Sequence, residues 1–214
     1  MEYVVKTDPS QSGINEGALH YIARILDPTT RGTDAPMSMD ELVKAMEGRA
    51  FGLVFLALAL PCCLPFVYIL PQIVAFPMIF LCGQMALGRQ QPWLPDRLAT
   101  RTFDPTALSN VVNRGSRWFG WVEVVAHARF RSLSSGIGQR IVGALLAIPC
   151  ASILLPLPLT NTVPGFGVVV AAFGLVERDG LLIVAGIAIG IMWVAALAIG
   201  GGAAISLLTG WLGG

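Results

Sequence analysis

The sequence predicts an all-α integral membrane protein. Its expected plan is two related helical hairpins broken by proline, crossing or re-entrant, with transmembrane and interfacial helices around them. Three observations lead there. Of 214 residues, 55% are hydrophobic and 13% charged, with mean hydropathy +0.70, whereas a soluble domain carries about 25% charged residues. Charge is also segregated: 13 of the 14 Lys and Arg precede residue 141, and Leu181 to Gly214 carry none. Finally, two apolar blocks hold proline clusters at matching places. The formal net charge of +1 gives no electrostatic case for a nucleic-acid partner.

Five segments follow from this pattern: 1–49, 50–88, 89–140, 141–180 and 181–214. The first is polar and lacks the basic start and short apolar core of a cleaved leader. Ile14 to Leu26 has the pattern of a short helix, and Asp27 to Pro36 is rich in breakers and reads as a linker. Ser38 with Glu41 three residues on forms a capping-box signature, and Leu42, Val43 and Met46 recur at helical spacing. An amphipathic helix lying against the membrane face is expected there.

The block 50–88 is broken by Pro61, Pro65 and Pro71 into short arms. Phe51 to Leu60 spans only ~15 Å and Ile73 to Leu87 ~22 Å, against a hydrocarbon core of ~30 Å. Segment 89–140 holds eight arginines against Asp96, Asp104 and Glu123, which suits a cytoplasmic connector. Trp118 and Trp121 among Arg114, Arg117, Arg129 and Arg131 suit an interfacial anchor. The block 141–180 repeats the plan of the first: an apolar arm ending at Pro149, then Pro156, Pro158 and Pro164, then Gly165 to Val176. Leu60-Pro61-Cys62 matches Ile148-Pro149-Cys150 at an offset of 88, and with one inserted residue Arg89 falls opposite Arg178. If the repeats are inverted, an odd number of crossings must separate them, and 89–140 offers no clear apolar span. Leu181 to Ile199 is the uninterrupted span of full length. Gly200-Gly201-Gly202-Ala203-Ala204 then kinks that helix or opens a short last segment, with a close helix–helix seam expected at these small residues.

Broken membrane helices expose unpaired N–H and C=O groups whose partial charges hold a polar solute without a charged side chain. No Asp, Glu, Lys or Arg lies inside the arms. The candidate substrate-binding atoms are therefore the polar ones near the breaks: Gln72, Ser152, Thr160, Asn161 and Thr162, with Gln84 inside an arm. Arg89, Glu177, Arg178 and Asp179 are candidates for gating or coupling, with a solvated turn as the simpler reading of the last three. Cys62, Cys63, Cys82 and Cys150 have no paired spacing and no neighbouring His, so they read as reduced, buried, small hydrophobes. His20 and His127 lie outside the arms, and no catalytic, metal or cofactor constellation emerges.

Gly83-Gln84-Met85-Ala86-Leu87-Gly88-Arg89 and Pro92-Trp93-Leu94-Pro95, with Leu157-Pro158-Leu159-Thr160-Asn161-Thr162-Val163-Pro164 and Glu177-Arg178-Asp179-Gly180, resemble the exopolysaccharide synthesis protein ExoD family. The resemblance covers roughly Ser38 to Ala198. It implies a multi-pass bacterial inner-membrane protein associated with exopolysaccharide production and tolerance of alkaline conditions, and it implies no particular chemistry. The expected function is passage of a small polar solute or ion between the two broken blocks, without enzymatic activity, in a homodimer surrounded by membrane lipid. The alternative is a non-transporting scaffold or regulator of exopolysaccharide synthesis.

Overall fold

The computed structural model describes residues 18–26, 35–63, 69–105, 131–155 and 160–212. It is helical apart from one two-residue bridge. Two compact units divide the chain: Met1–Glu47 with Trp93–Ala128, and Gly48–Pro92 with Arg129–Gly214. Most of the predicted linker and the tryptophans of segment 89–140 other than Trp93 lie outside the described residues, as does Glu123.

In the first unit, α1 (Ala18–Leu26) buries Ile22 and Leu26, and the Tyr21 hydroxyl donates to the Ala45 carbonyl at 3.0 Å. β1 (Met37–Ser38) leads into α2 (Met39–Ala45), and the predicted capping box is present. The Glu41 N–H donates to Ser38 Oγ at 3.2 Å, and the Ser38 N–H donates to Glu41 Oε2 at 2.9 Å. Leu42, Val43 and Met46 are the buried face. After the short α5 (Asp96–Ala99), β2 (Thr102–Phe103) pairs antiparallel with β1, Met37 opposite Phe103. Nothing in the sequence pattern announces so short a bridge.

The second unit packs five apolar helices: α3 (Ala50–Ala59), α4 (Ile69–Ala86), α6 (Gly136–Ile153), α7 (Thr162–Glu177) and α8 (Gly180–Leu212). α3 runs on as a tight 3-10 turn, Leu60–Cys63. α7 is central, touching α3, α6 and α8, while α4 packs mainly on α6. Phe51, Phe55, Met78, Met85, Leu146, Ile153, Val168, Leu175 and Ile183 fill the core.

Two expected arms are longer than the prolines suggest. α4 starts at Ile69, before Pro71, and α6 continues past Pro149 to Ile153, so each has 18 residues and is ~27 Å long. Pro71 is the third residue of α4, where its missing N–H has no intrahelical partner to lose. Pro77 and Pro149 sit inside helices, tolerated where neighbouring helices and small shifts re-satisfy the freed backbone. The glycine run does not start a new segment either, for α8 is one helix of 33 residues.

The seams between helices are set by other glycines. A Cβ at Gly143 on α6 would lie 2.5 Å from Met85 Cβ and 2.9 Å from the Cys82 carbonyl oxygen on α4. A Cβ at Gly167 on α7 would meet the Gly186 carbonyl oxygen at 2.8 Å and the Gly190 nitrogen at 2.9 Å on α8. Backbone contact of this kind replaces a hydrophobic drive that helices in lipid lack. Added Cβ atoms at Gly200, Gly201 and Gly202 meet nothing within 4 Å. Among the described residues the expected seam is therefore absent there, because α8 has by that point run beyond its described neighbours.

The unit is apolar on the outside as well. Exposed Ile69, Ile73, Phe76 and Phe80 recur at helical spacing on α4, as Ile137, Ile141, Leu145 and Ile148 do on α6. α4, α6 and α8 are long and apolar enough to cross a membrane, and α3 with its extension and α7 are shorter apolar helices.

Candidate functional site

Close contacts fix the direction of each helix. Gly52 near the start of α3 meets Ala172 and Val176 near the end of α7, while Cys62 meets Gly165. Gly143 near the start of α6 meets Met85 and Ala86 at the end of α4, and Gly88 meets Arg140. Short connections do the rest: five residues join Cys63 to Ile69, and two join Glu177 to Gly180. The starts of α3, α6 and α8 therefore lie at one end of the unit with the ends of α4 and α7. The proline breaks lie together at the other.

All charge in the described part of this unit belongs to the first end: Arg49, Arg89, Arg131, Arg140, Glu177, Arg178 and Asp179. The turns that close α4 and α7 there are alike. At α4, the Arg89 N–H donates to the Gln84 carbonyl at 3.0 Å and the Gly88 N–H to that of Met85 at 2.9 Å, with Gly88 left-handed at φ 86. At α7, the Asp179 N–H donates to the Gly174 carbonyl at 2.8 Å, and Arg178 takes the left-handed position at φ 56. Gly88 is thus the counterpart of Arg178, one residue away from the pairing that the sequence offset suggests.

Glu177-Arg178-Asp179 is a tight turn in which Asp179 has its own task. Its Oδ1 accepts the Leu181 N–H at 2.8 Å, so a carboxylate 2% exposed caps the positive end of α8. Arg178 Nη2 lies 3.6 Å from where a Cβ on Gly48 would be. Arg49, Gln84, Ser134 and Gln139 are buried polar residues near the same end. Arg49, Ser134 and Gln139 carry no motif signal. The position of Gln139 on the face of α6 that also holds Val142, Gly143 and Leu146 is a signal, since that stripe is the buried one.

The uncharged end gathers five of the six candidate binding residues. Gln72 is the fourth residue of α4, Asn161 the N-cap of α7, Thr162 its first residue, and Thr160 and Ser152 flank the break. Gln84 is not with them: it lies twelve residues along α4, ~18 Å away, at the charged end. Ser152 Oγ donates to the Pro149 carbonyl at 2.7 Å, which uses its proton locally. The Trp193 indole N–H on α8 donates to the Thr160 carbonyl at 3.0 Å and ties the second break to the long helix. No pattern in the sequence points to Trp193. Gln72 Oε1 and Asn161 Oδ1 are buried without a hydrogen-bond partner, and Asn161 makes no side-chain capping bond to α7. Such an orphaned group costs ~1–3 kcal/mol.

The four cysteines are free thiols, and Cys62, Cys82 and Cys150 are buried in the core, as expected of small hydrophobes. Cys82 and Cys150 face one another across α4 and α6 with sulfurs 3.8 Å apart.

A helical unit whose outer surface is apolar, with three helices fit to cross a bilayer, defines a membrane-associated protein. Its particular kind follows from comparison with known proteins. The chain belongs to the family described as exopolysaccharide synthesis, ExoD, whose model matches residues 22–199. It is 31% identical over 188 residues to the uncharacterized protein slr1875 of Synechocystis sp., covering 82% of this chain and 87% of that one. It is 25% identical over 154 residues to Protein ExoD of Rhizobium meliloti, covering 70% of this chain and 64% of that relative, slightly under two thirds of its length. No solved structure matches the chain.

Proposed function

We propose that the protein is a multi-pass protein of the bacterial inner membrane that passes a small polar solute or ion at the broken ends of two repeated helix pairs. The flux serves exopolysaccharide production or tolerance of alkaline conditions. The observation that carries this reading is the pair of buried, unpartnered amide oxygens on Gln72 and Asn161 at the end that holds no charge. An amide deprived of water is retained where a ligand or ordered water completes it. Helix ends meeting there add partial charges suited to a polar solute. The repeat is supported by two likenesses: α4 and α7 each carry proline as third residue, and each ends in a left-handed turn.

The binding set on this reading is Gln72, Ser152, Thr160, Asn161 and Thr162. Gln84, Arg89, Glu177, Arg178 and Asp179 stand at the opposite mouth, where the charged residues gate access, and the positive-inside tendency assigns that mouth to the cytoplasm. The open glycines Gly200 to Gly202 suit contact with a second copy, and the protein has no enzymatic step. Reconstitution into proteoliposomes tests the reading with panels of small polar solutes and ions. Flux that falls at least about tenfold in Gln72→Leu and Asn161→Leu, with the fold intact, is the expected result. A wild-type protein that passes none of them sinks it. The second reading, a non-transporting scaffold or regulator, draws on the separate unit built from 1–47 and 93–128, whose Arg97 and Arg101 are exposed. A stable complex with the polysaccharide machinery, together with absent flux, supports that one instead.

A further inference from the structure

Arg140 meets the end of α4 at one point on the charged end. A Cβ on Gly88 would lie 2.5 Å from Arg140 Nη2 and 2.7 Å from Cζ, so the guanidinium rests against backbone that only glycine leaves open. Arg89 follows directly in the chain. Both arginines are exposed, and among the described residues neither has an acidic partner. Two like charges on neighbouring residues of packed helices, with no carboxylate between them, form a surface complementary to an anion. Asp179 and Glu177, the acidic residues described in this unit, belong to the α7–α8 turn.

The surroundings indicate which anion. Leu87 is 83% exposed and Ile137 76%, and they head the outward apolar stripes of α4 and α6, with Ile141 below them. The positive pair therefore stands at the rim of a surface that suits acyl chains. Arginine forks match phosphate oxygens two at a time.

We propose that Arg89 and Arg140 bind the phosphate of an anionic phospholipid whose acyl chains lie along the exposed faces of α4 and α6. The site shares Arg89 with the gating residues of the transport reading but uses none of the break residues, and lipid retention is read without flux, so either can fail while the other stands. A soluble acidic protein has no use for apolar stripes of this length, whereas a lipid fills both halves of the surface.

The test is lipid retention by the full-length protein in maltoside micelles, read by native mass spectrometry after addition of phosphatidylglycerol or phosphatidylcholine. Wild type retains phosphatidylglycerol preferentially, and the preference declines as salt rises. Arg89→Ala and Arg140→Ala each weaken it about fivefold, and the double variant about 25-fold, as expected for one basic residue each near an anionic surface. Arg101→Ala, from the other unit, leaves the preference in place. Equal retention of the two lipids by wild type overturns the proposal without any variant. So does an undiminished preference in the double variant, or in Arg89→Gln with Arg140→Gln where the alanine protein does not fold.

Discussion

The α7–α8 seam supplies the sharpest test of the packing argument, through Gly186→Ala set against Gly201→Ala. Both glycines lie in α8, and both substitutions gain the same intrinsic helix preference, about 1 kcal/mol in water. Their surroundings differ. A Cβ at Gly186 overlaps the Ala171 nitrogen and the Gly167 carbonyl oxygen and comes within 2.8 Å of Ala171 Cα, all of them backbone atoms of α7. At Gly201 there is open space. Comfortable carbon contacts are ~3.5–4 Å, so the first substitution forces the helices apart by something on the order of 1 Å. No side-chain rotation relieves the overlap.

Overpacking of this sort costs about 1–3 kcal/mol, and because the propensity gain is common to both proteins, their difference isolates the seam. The folded-to-unfolded ratio should differ by roughly 5- to 150-fold between the two variants. Unfolding in mixed micelles titrated with sodium dodecyl sulfate, followed by far-ultraviolet circular dichroism, measures it. Identical midpoints for Gly186→Ala and Gly201→Ala would refute the claim that α7 and α8 are in backbone contact.

Further expectations follow from single contacts. Trp193→Phe keeps an aromatic ring, though a smaller one, and loses the N–H donated to the Thr160 carbonyl; about 1 kcal/mol or more should go, seen as faster amide exchange at 160–163 and 165 with little change elsewhere. Asp179→Ala removes the cap of α8 and should lower stability by about 1–2 kcal/mol, while Asp179→Asn keeps an acceptor and should cost less. Single cysteines at Arg89 and Ser135, in a background without the native four, should react with an impermeant maleimide from the same membrane face; labelling from opposite faces contradicts the helix directions derived above. Asp40, paired with Lys44 at 2.6 Å, raises the lysine above its ordinary 10.5. The small helix stabilisation from that pair is present below 10.5 and fades as pH climbs through the raised value, so Lys44→Met should flatten the pH dependence of α2 above pH 10.

Much of the helical plan is legible in the chain because lipid-suited sequence is simple. Charge-free runs marked out 50–88, 141–176 and 181–214, and each holds the helices expected of it. Capping chemistry was legible at Ser38 and Glu41, since a capping box is local in sequence. Proline was the least reliable guide. Read as a breaker, it shortened α4 and α6, but Pro71 stands in a first turn, where its missing N–H costs nothing, and the helices packed around Pro149 restore what it removes. Glycine misled for a related reason: composition identifies small residues, while only three-dimensional packing says which of them face a backbone. Gly143, Gly167 and Gly186 do, and the conspicuous run at 200–202 does not. At the candidate site, polar atoms near the breaks could be named, but Gln84 shares an arm with Gln72 and ends at the far side of the unit, a separation that depends on where α4 begins.

The helix directions also set where the polar groups of the second unit lie. α3 with α4, and α6 with α7, both start and finish at the charged end, so the two pairs point the same way. α3 lies against α7 on one side and α4 against α6 on the other. This common direction puts the buried, unpartnered oxygens of Gln72 and Asn161, one from each pair, at one end, and the arginines at the other. Inverted pairs would have divided these groups between the two ends, leaving each end with one amide and one set of charges. Separation of charge from the two unpartnered amide oxygens therefore follows from the pairs pointing the same way, while the unpartnered Gln139 Nε2 lies at the charged end. Any solute bound at the breaks meets helix ends and amides, with the full charges ~25 Å distant along the helices.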